Sequence, residues 1–151
     1  MTMKRIMRAG GAVMLSALAA SLLVAGVGAA PAAAGTATLS IPYRNCEGGD
    51  GRHYDYLVRV TGQIRITQED KKRIEVRLWG DDPGYDDLLG GPYQQIIDGG
   101  EPYFSTDVCM NASTLNEDIG GDEIYAGVRV YGYPSGILLE KFESNRFYGS
   151  F

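Results

Sequence analysis

The sequence predicts an all-β protein: a single antiparallel β-sandwich of about seven or eight strands. Three observations support this fold class. Apolar and polar residues alternate in several runs, glycine-rich and proline-containing turns separate the runs, and helical periodicity is nearly absent. Alternation with a period of two places the aliphatic side chains of a strand on one face, where they pack on a core.

Residues 1–34 have the composition of a secretory signal peptide. Three basic residues among the first eight precede an apolar run over residues 12–30, and Ala34 ends an A-x-A motif. We expect residues 1–34 to be removed and residues 35–151 to form the β-sandwich domain of a secreted, extracellular protein. Two alternatives are open: cleavage after Ala30, and retention of the run as a membrane anchor, since about 20 apolar residues span a bilayer. We expect no transmembrane segment in the mature chain.

The mature chain is strongly acidic. Cleavage removes three of the 14 basic side chains and none of the 19 acidic ones, which leaves 11 against 19 and a formal charge of −8. Proteins that bind nucleic acid need clusters of lysine and arginine to face the phosphates. We therefore expect no nucleic-acid partner, and instead an extracellular protein or a cell-surface ligand that the sequence does not identify.

Cys46 and Cys109 are the two cysteines of the chain. A pair of cysteines in an exported chain predicts one disulfide. Two free thiols and half of a metal site are the alternatives, but neither cysteine has a second cysteine or a histidine at ligand spacing. Closing a loop of about 64 residues would stabilise the fold by roughly 4 kcal/mol.

Alternating runs predict the strands along the mature chain. Strong runs cover residues 54–66, 74–78 and 124–130, and weaker ones cover residues 38–43, 93–97, 103–110 and 137–147. The connectors between them are rich in Gly, Asp and Pro, which are turn residues. A short helix over residues 113–118 is an alternative to a plain loop there.

The run from Leu78 to Gly90 carries the one pattern that predicts a specific chemistry. It places four aspartates about a Pro-Gly pair: Asp81, Asp82, Asp86 and Asp87. Pro83 and Gly84 fit the central positions of a type II turn, so we expect a hairpin or loop tip at which like charges face and repel each other. A divalent cation would relieve that repulsion, and calcium accepts about six to eight oxygen ligands in flexible geometry. The four aspartates are therefore the predicted metal site, with calcium as its cofactor.

A plain acidic turn is the alternative to this calcium site. Aspartate, proline and glycine are ordinary turn residues, and acidic tips keep secreted proteins soluble. The spacing of an EF-hand is not met. A second acidic segment, residues 116–123, would supply further ligands if its loop lay beside the first.

The same run resembles a known type of calcium loop. V-R-L-W-G-D-D-P-G-Y-D-D-L-L-G is similar to the third calcium loop of the calcium- and phospholipid-binding β-sandwiches of the protein kinase C and synaptotagmin kind. The resemblance implies ligand roles for Asp82 and Asp87. Gly80 stands where the first acid is expected, which removes a ligand unless Asp81 or Asp86 replaces it. The serine-aspartate-proline-tyrosine segment of the other loop is missing.

Secreted transthyretin-like sandwiches are a second resemblance. It rests on the same run together with Asp122-Glu123-Ile124-Tyr125, and it implies the sandwich fold without calcium. Each resemblance covers only roughly 15 to 25 residues of the chain.

The sequence does not predict an enzyme. His53 is the single histidine, and no G-x-S-x-G nucleophile motif is present. A carboxylate-dependent glycosidase ranks last, because acids in an exposed turn lack the burial that raises the pKa of a general acid. We expect a secreted binding module that binds calcium through the Asp81–Asp87 turn. The alternative is a calcium-independent protein-interaction or inhibitor domain that uses tyrosine-rich loops.

Overall fold

The computed structural model describes residues 35–67, 70–116 and 122–151, apart from the side chain of Tyr43. These residues form eight strands and one short helix. The strands are β1 (Thr36–Glu47), β2 (His53–Gln63), β3 (Lys72–Gly80), β4 (Asp87–Ile97), β5 (Tyr103–Met110), β6 (Asp122–Gly132), β7 (Leu138–Glu143) and β8 (Phe147–Gly149), and helix α1 (Ala112–Leu115) follows β5. Within the described ranges, no helix is long and apolar enough to cross a membrane.

The strands form two antiparallel sheets. The smaller sheet has the order β1-β2-β5, and the larger one has the order β4-β3-β6-β7 with β8 also paired to β6. β7 and β8 therefore share one edge of β6. Between them, the backbone of Ser144 donates to the carbonyl of Ala126, and the Ser144 hydroxyl accepts from the amide of Ala126 at 2.9 Å. Ser144 thus continues the hydrogen bonding along this edge of β6 in the gap between β7 and β8.

The core lies between the two sheets and is built from the alternating aliphatic positions. On the larger sheet, Ile74, Val76 and Leu78 of β3 are fully buried, as are Ile124 and Val128 of β6. The smaller sheet contributes Leu39, Tyr56, Val58, Val60, Phe104 and Met110 to the same cluster. Each such aliphatic side chain contributes about 1.5–3 kcal/mol on burial. The all-β sandwich prediction is confirmed.

Two of the predicted runs correspond to strands with different ends. The run over residues 54–66 ends as a strand at Gln63, because Ile64 leaves β2, donates its amide to the Pro102 carbonyl and buries its side chain. The run over residues 137–147 is two strands, β7 and β8, rather than one. The short helix α1 overlaps the predicted one at residues 113–115 and buries Leu115 in the core, whereas residues 117 and 118 lie outside the described residues.

The predicted disulfide between Cys46 and Cys109 is present, with its Cα atoms 5.5 Å apart. It joins β1 to β5, although β2 lies between these strands in the sheet order. The pairing of β1 with β2 is irregular between Ser40 and Tyr43, and Asn45 has a φ of 64°. Asparagine tolerates this left-handed conformation better than most residues. Both irregularities lie shortly before Cys46 in β1.

Candidate functional site: a polar pocket on the outer face of the larger sheet

The odd-numbered residues of β3 and β6 form the outer face of the larger sheet, because their even-numbered neighbours fill the core. The antiparallel register places Glu75 opposite Arg129, Arg77 opposite Gly127, and Trp79 opposite Tyr125. On the other side of β6, Lys141 of β7 lies opposite Arg129, and Glu143 lies opposite Gly127. The register thus groups charged and aromatic side chains around one glycine.

A pocket of about 220 Å³ opens at this place. Its lining consists of Arg77, Trp79, Asp86, Tyr125, Gly127, Arg129, Lys141 and Glu143. None of these residues is aliphatic. Ligand pockets for drug-sized molecules measure about 300–1,000 Å³, so this pocket has room for one ring or one side group of a larger ligand.

Gly127 forms the floor of the pocket, and the Trp79 indole lies over it. A Cβ atom at position 127 would lie 3.0 Å from the indole Nε1. The indole N–H has no acceptor among the residues that the structure describes, and it is accessible to solvent. An unused donor therefore lines the pocket beside its floor.

One end of the pocket is basic. Glu75 is only 6% exposed although it lies on the outer face, and a buried carboxylate requires a partner. It accepts from Nε of Arg77 at 2.9 Å, and Nη1 of Arg129 lies 3.9 Å from the same oxygen. Lys141 stands opposite Arg129 and has no ion pair or hydrogen bond with the described residues. Two arginines thus share one carboxylate, and the like charges of Arg129 and Lys141 face each other across β6 and β7.

The other end of the pocket is acidic, and its acids already have partners. Tyr125 donates its hydroxyl to Oδ2 of Asp86 at 2.6 Å. Burial, followed by this hydrogen bond, raises the pKa of Tyr125 far above its usual value. The Arg146 guanidinium lies 4.7 Å from the centre of the Tyr125 ring, bonds to Asp81, and lies 3.6 Å from Glu143. The hydrogen bond to Asp81 raises the pKa of Arg146.

The four aspartates of the predicted calcium site lie in or beside the connection between β3 and β4. The Asp81 amide donates to the Glu123 carbonyl at 2.8 Å, so Asp81 extends the pairing of β3 with β6. Asp82 is half-buried, Asp86 lines the pocket, and Asp87 is exposed at the start of β4, opposite Gly80. The connection bends at Gly84, whose φ of 135° suits glycine.

No group of three or more histidine, cysteine, aspartate or glutamate side chains in residues 35–67, 70–116 and 122–151 is arranged to hold a metal ion. Most of the second acidic segment, residues 117–121, lies outside the described residues. The calcium site therefore stays a prediction.

Sequence reasoning did not single out the basic end of the pocket. Arg77, Arg129 and Lys141 stand in alternating strand patterns that are typical of any solvated face. The one available signal was Gly127, a glycine inside a strongly alternating strand, which can indicate a close approach to the backbone.

The protein is therefore an all-β sandwich domain with a pocket of charged and aromatic side chains on its larger sheet. No protein-family model matches the chain, and a search of curated proteins finds no match. Among solved structures, the chain is similar to a Bordetella pertussis crystal structure that bears the provisional name ApaA. The likeness covers 78% of this chain and 95% of that one, at 15% sequence identity and a TM-score of 0.35.

Proposed function

We propose that the protein is a secreted binding module that holds an extracellular ligand in the pocket around Gly127. The observation that carries this proposal is the basic end of the pocket, where Arg129 and Lys141 face each other without a full counter-charge. Such an arrangement opposes folding of the strand pair. A ligand that supplies acceptors there would relieve the repulsion, which gives this surface a binding role rather than a structural one.

Catalysis is not part of the proposal. His53 is exposed at the start of β2 on the smaller sheet and does not line the pocket. Asp86 and Glu143 do line it, but both interact with protein groups, the Tyr125 hydroxyl and the Arg146 guanidinium. A glycosidase would need a carboxyl group whose pKa is raised by an apolar environment, whereas both carboxylates of this pocket contact a hydroxyl or a guanidinium group.

Calcium binding by the Asp81–Asp87 turn is a second proposal. The exposure of Asp86 and Asp87 favours it, because both carboxylates are accessible to an ion. Arg146 already neutralises Asp81, which leaves fewer carboxylates for the metal. We therefore propose a weak site of the kind found in extracellular modules, with a Kd of about 10⁻⁴–10⁻³ M.

Retention on cell-envelope material tests the binding module. The chain would be purified from the culture medium, and its intact mass would test the expected cleavage after Ala34. It would then be mixed with the envelope fraction and the macromolecules of the medium, with and without chelator. We expect retention of the wild-type chain in both conditions and loss of retention in Arg129→Gln/Lys141→Gln.

Lys71→Gln is the matched control, because Lys71 is an exposed lysine outside the pocket that pairs with Asp98 at 2.7 Å. It should be retained like the wild-type chain. Absence of any retention would contradict a binding function in this environment. Equal retention of the double variant and the control would place the binding surface elsewhere.

A further inference from the structure

We infer that the ligand of the outer-face pocket is a sugar ring that carries an oxyanion, either a carboxylate or a sulfate. The inference rests on the proposed binding function and names its ligand class. Three features of the pocket carry it: an excess of donors at the basic end, accessible acceptors at the acidic end, and an indole between them.

The basic end supplies the place for the oxyanion. Glu75 satisfies Nε of Arg77 at 2.9 Å but lies 3.9 Å from Arg129, and Lys141 has no partner among the described residues. Arginine binds carboxylates and tetrahedral oxyanions through its fork of N–H donors, and lysine adds a point charge. An oxyanion between Arg129 and Lys141 would neutralise the two facing cations. A neutral ligand would leave their repulsion in place.

The rest of the pocket suits hydroxyl groups rather than an aliphatic chain. Asp86 uses Oδ2 to accept from Tyr125 and keeps Oδ1 as an acceptor, while Glu143 lies 3.6 Å from Arg146 at a partly exposed position. These acids can accept hydrogen bonds from hydroxyls, and the Trp79 N–H can donate to a ring oxygen. An aromatic side chain with a polar group, such as the Trp79 indole, suits a ligand that presents both apolar and polar atoms.

The pocket volume agrees with this ligand class. About 220 Å³ accommodates one ring of a chain whose remaining units extend over the open sheet face. An extended aliphatic ligand would find no aliphatic wall. It would also bury polar groups of the pocket without giving them hydrogen-bond partners, which costs free energy. A single ring with hydroxyls and one oxyanion uses both ends of the pocket at once.

Tryptophan fluorescence tests the inference, because Trp79 is the single tryptophan of the chain. The secreted chain would be titrated with oligosaccharides of equal length: one with carboxylated sugars, one with sulfated sugars and one neutral. We expect a saturable change in emission with at least one acidic oligosaccharide and none with the neutral one. The acidic oligosaccharide that binds more tightly identifies the oxyanion.

Lys141→Gln should weaken this binding about tenfold, because it removes one charge from the oxyanion site. Lys71→Gln should bind like the wild-type chain, and free acetate or inorganic sulfate should bind far more weakly than the sugar. If the neutral oligosaccharide binds equally well, the inference that the ligand carries an oxyanion is wrong. If the free anion binds equally well, the inference that the ligand is a sugar ring is wrong.

Failure of the ligand class is distinguishable from failure of the binding function. If no oligosaccharide changes the emission while the envelope fraction still retains the wild-type chain and not Arg129→Gln/Lys141→Gln, the inferred ligand is wrong and the binding module stands. If the envelope fraction retains neither protein and no oligosaccharide binds, both proposals fail.

Discussion

Gly127 leaves space on the outer face of the larger sheet, and the Trp79 indole occupies part of it. Its strand neighbours on that face, Tyr125 and Arg129, carry large side chains, and Trp79 lies directly over the missing side chain. A Cβ atom here would meet only the end of the indole, at 3.0 Å. The glycine therefore serves the shape of the pocket, because the backbone itself does not require it at this position.

Gly127→Ala should displace the Trp79 indole and change the shape of the pocket without unfolding the protein. Alanine favours an extended strand more than glycine does, while crowding against the indole opposes it, so we expect a net change below about 1 kcal/mol in the free energy of unfolding. The tryptophan emission should shift and retention on envelope material should fall. Denaturant unfolding and the retention assay measure the two effects. Unchanged retention in a folded Gly127→Ala protein would contradict the assigned floor.

Tyr125 links the acidic turn to the sheet and gives stability a dependence on alkaline pH. Its folded-state pKa lies above the unfolded value of about 10, because the ring is buried and the hydroxyl donates to Asp86. Deprotonation therefore favours the unfolded chain. The stabilisation is fully present below about pH 10 and is lost as the pH rises through the folded-state pKa.

Tyr125→Phe should consequently flatten the alkaline limb of the stability curve. Melting temperatures from about pH 8 to about pH 11 would be compared for the wild-type chain, Tyr125→Phe and Tyr148→Phe. Tyr148 is 65% exposed and serves as the control. The prediction is wrong if both variants lose stability with pH as steeply as the wild-type chain.

At the level of the elements, β3 and β6 were predictable from alternation alone. Ile74 to Leu78 and Ile124 to Val130 alternate with charged or polar neighbours, and both strands occur where the pattern predicts them. The position of the connection after β3 was predictable as well, from Pro83 and Gly84, although these residues form a bend with a Gly84 φ of 135° rather than a type II turn with about 80°. These features depend on neighbouring residues in the sequence, so local chemistry is sufficient.

The pocket was not predictable in this way, because it depends on register between strands that are distant in sequence. Arg129 of β6 meets Glu75 of β3 and Lys141 of β7 only through strand pairing. Arg146 reaches Asp81 across 65 positions of the chain. No local pattern specifies these contacts, so the sequence emphasised the aspartates of the turn rather than the cations of the sheet.

The turn between β3 and β4 carries its own prediction. Calcium should raise the melting temperature of the chain, and Asp86→Asn with Asp87→Asn should abolish that rise, because the exposed carboxylates would be its ligands. Asp98→Asn, an exposed acid that pairs with Lys71 in another turn, is the matched control. Identical melting curves in calcium and in chelator would contradict calcium binding.

For the molecule as a whole, the disulfide between Cys46 and Cys109 restrains the smaller sheet and leaves the pocket strands untouched. The two cysteines are separated by 63 positions, and such a loop contributes about 4 kcal/mol in the chain-entropy model. Cys46→Ala/Cys109→Ala should therefore lower the free energy of unfolding by about that amount. Denaturant unfolding measures it, and a change below about 1 kcal/mol would show that the staple contributes little.

The indole N–H resonance of Trp79 reports directly on ligand binding at the outer face of the larger sheet. The chain has one tryptophan, so a nitrogen–proton correlation spectrum contains a single indole signal. On addition of the acidic oligosaccharide, we expect a saturable shift of this signal in the wild-type chain and in Lys71→Gln, and a much weaker one in Lys141→Gln. Saturable binding that moves backbone signals of β1, β2 and β5 and leaves the indole signal in place would contradict this expectation.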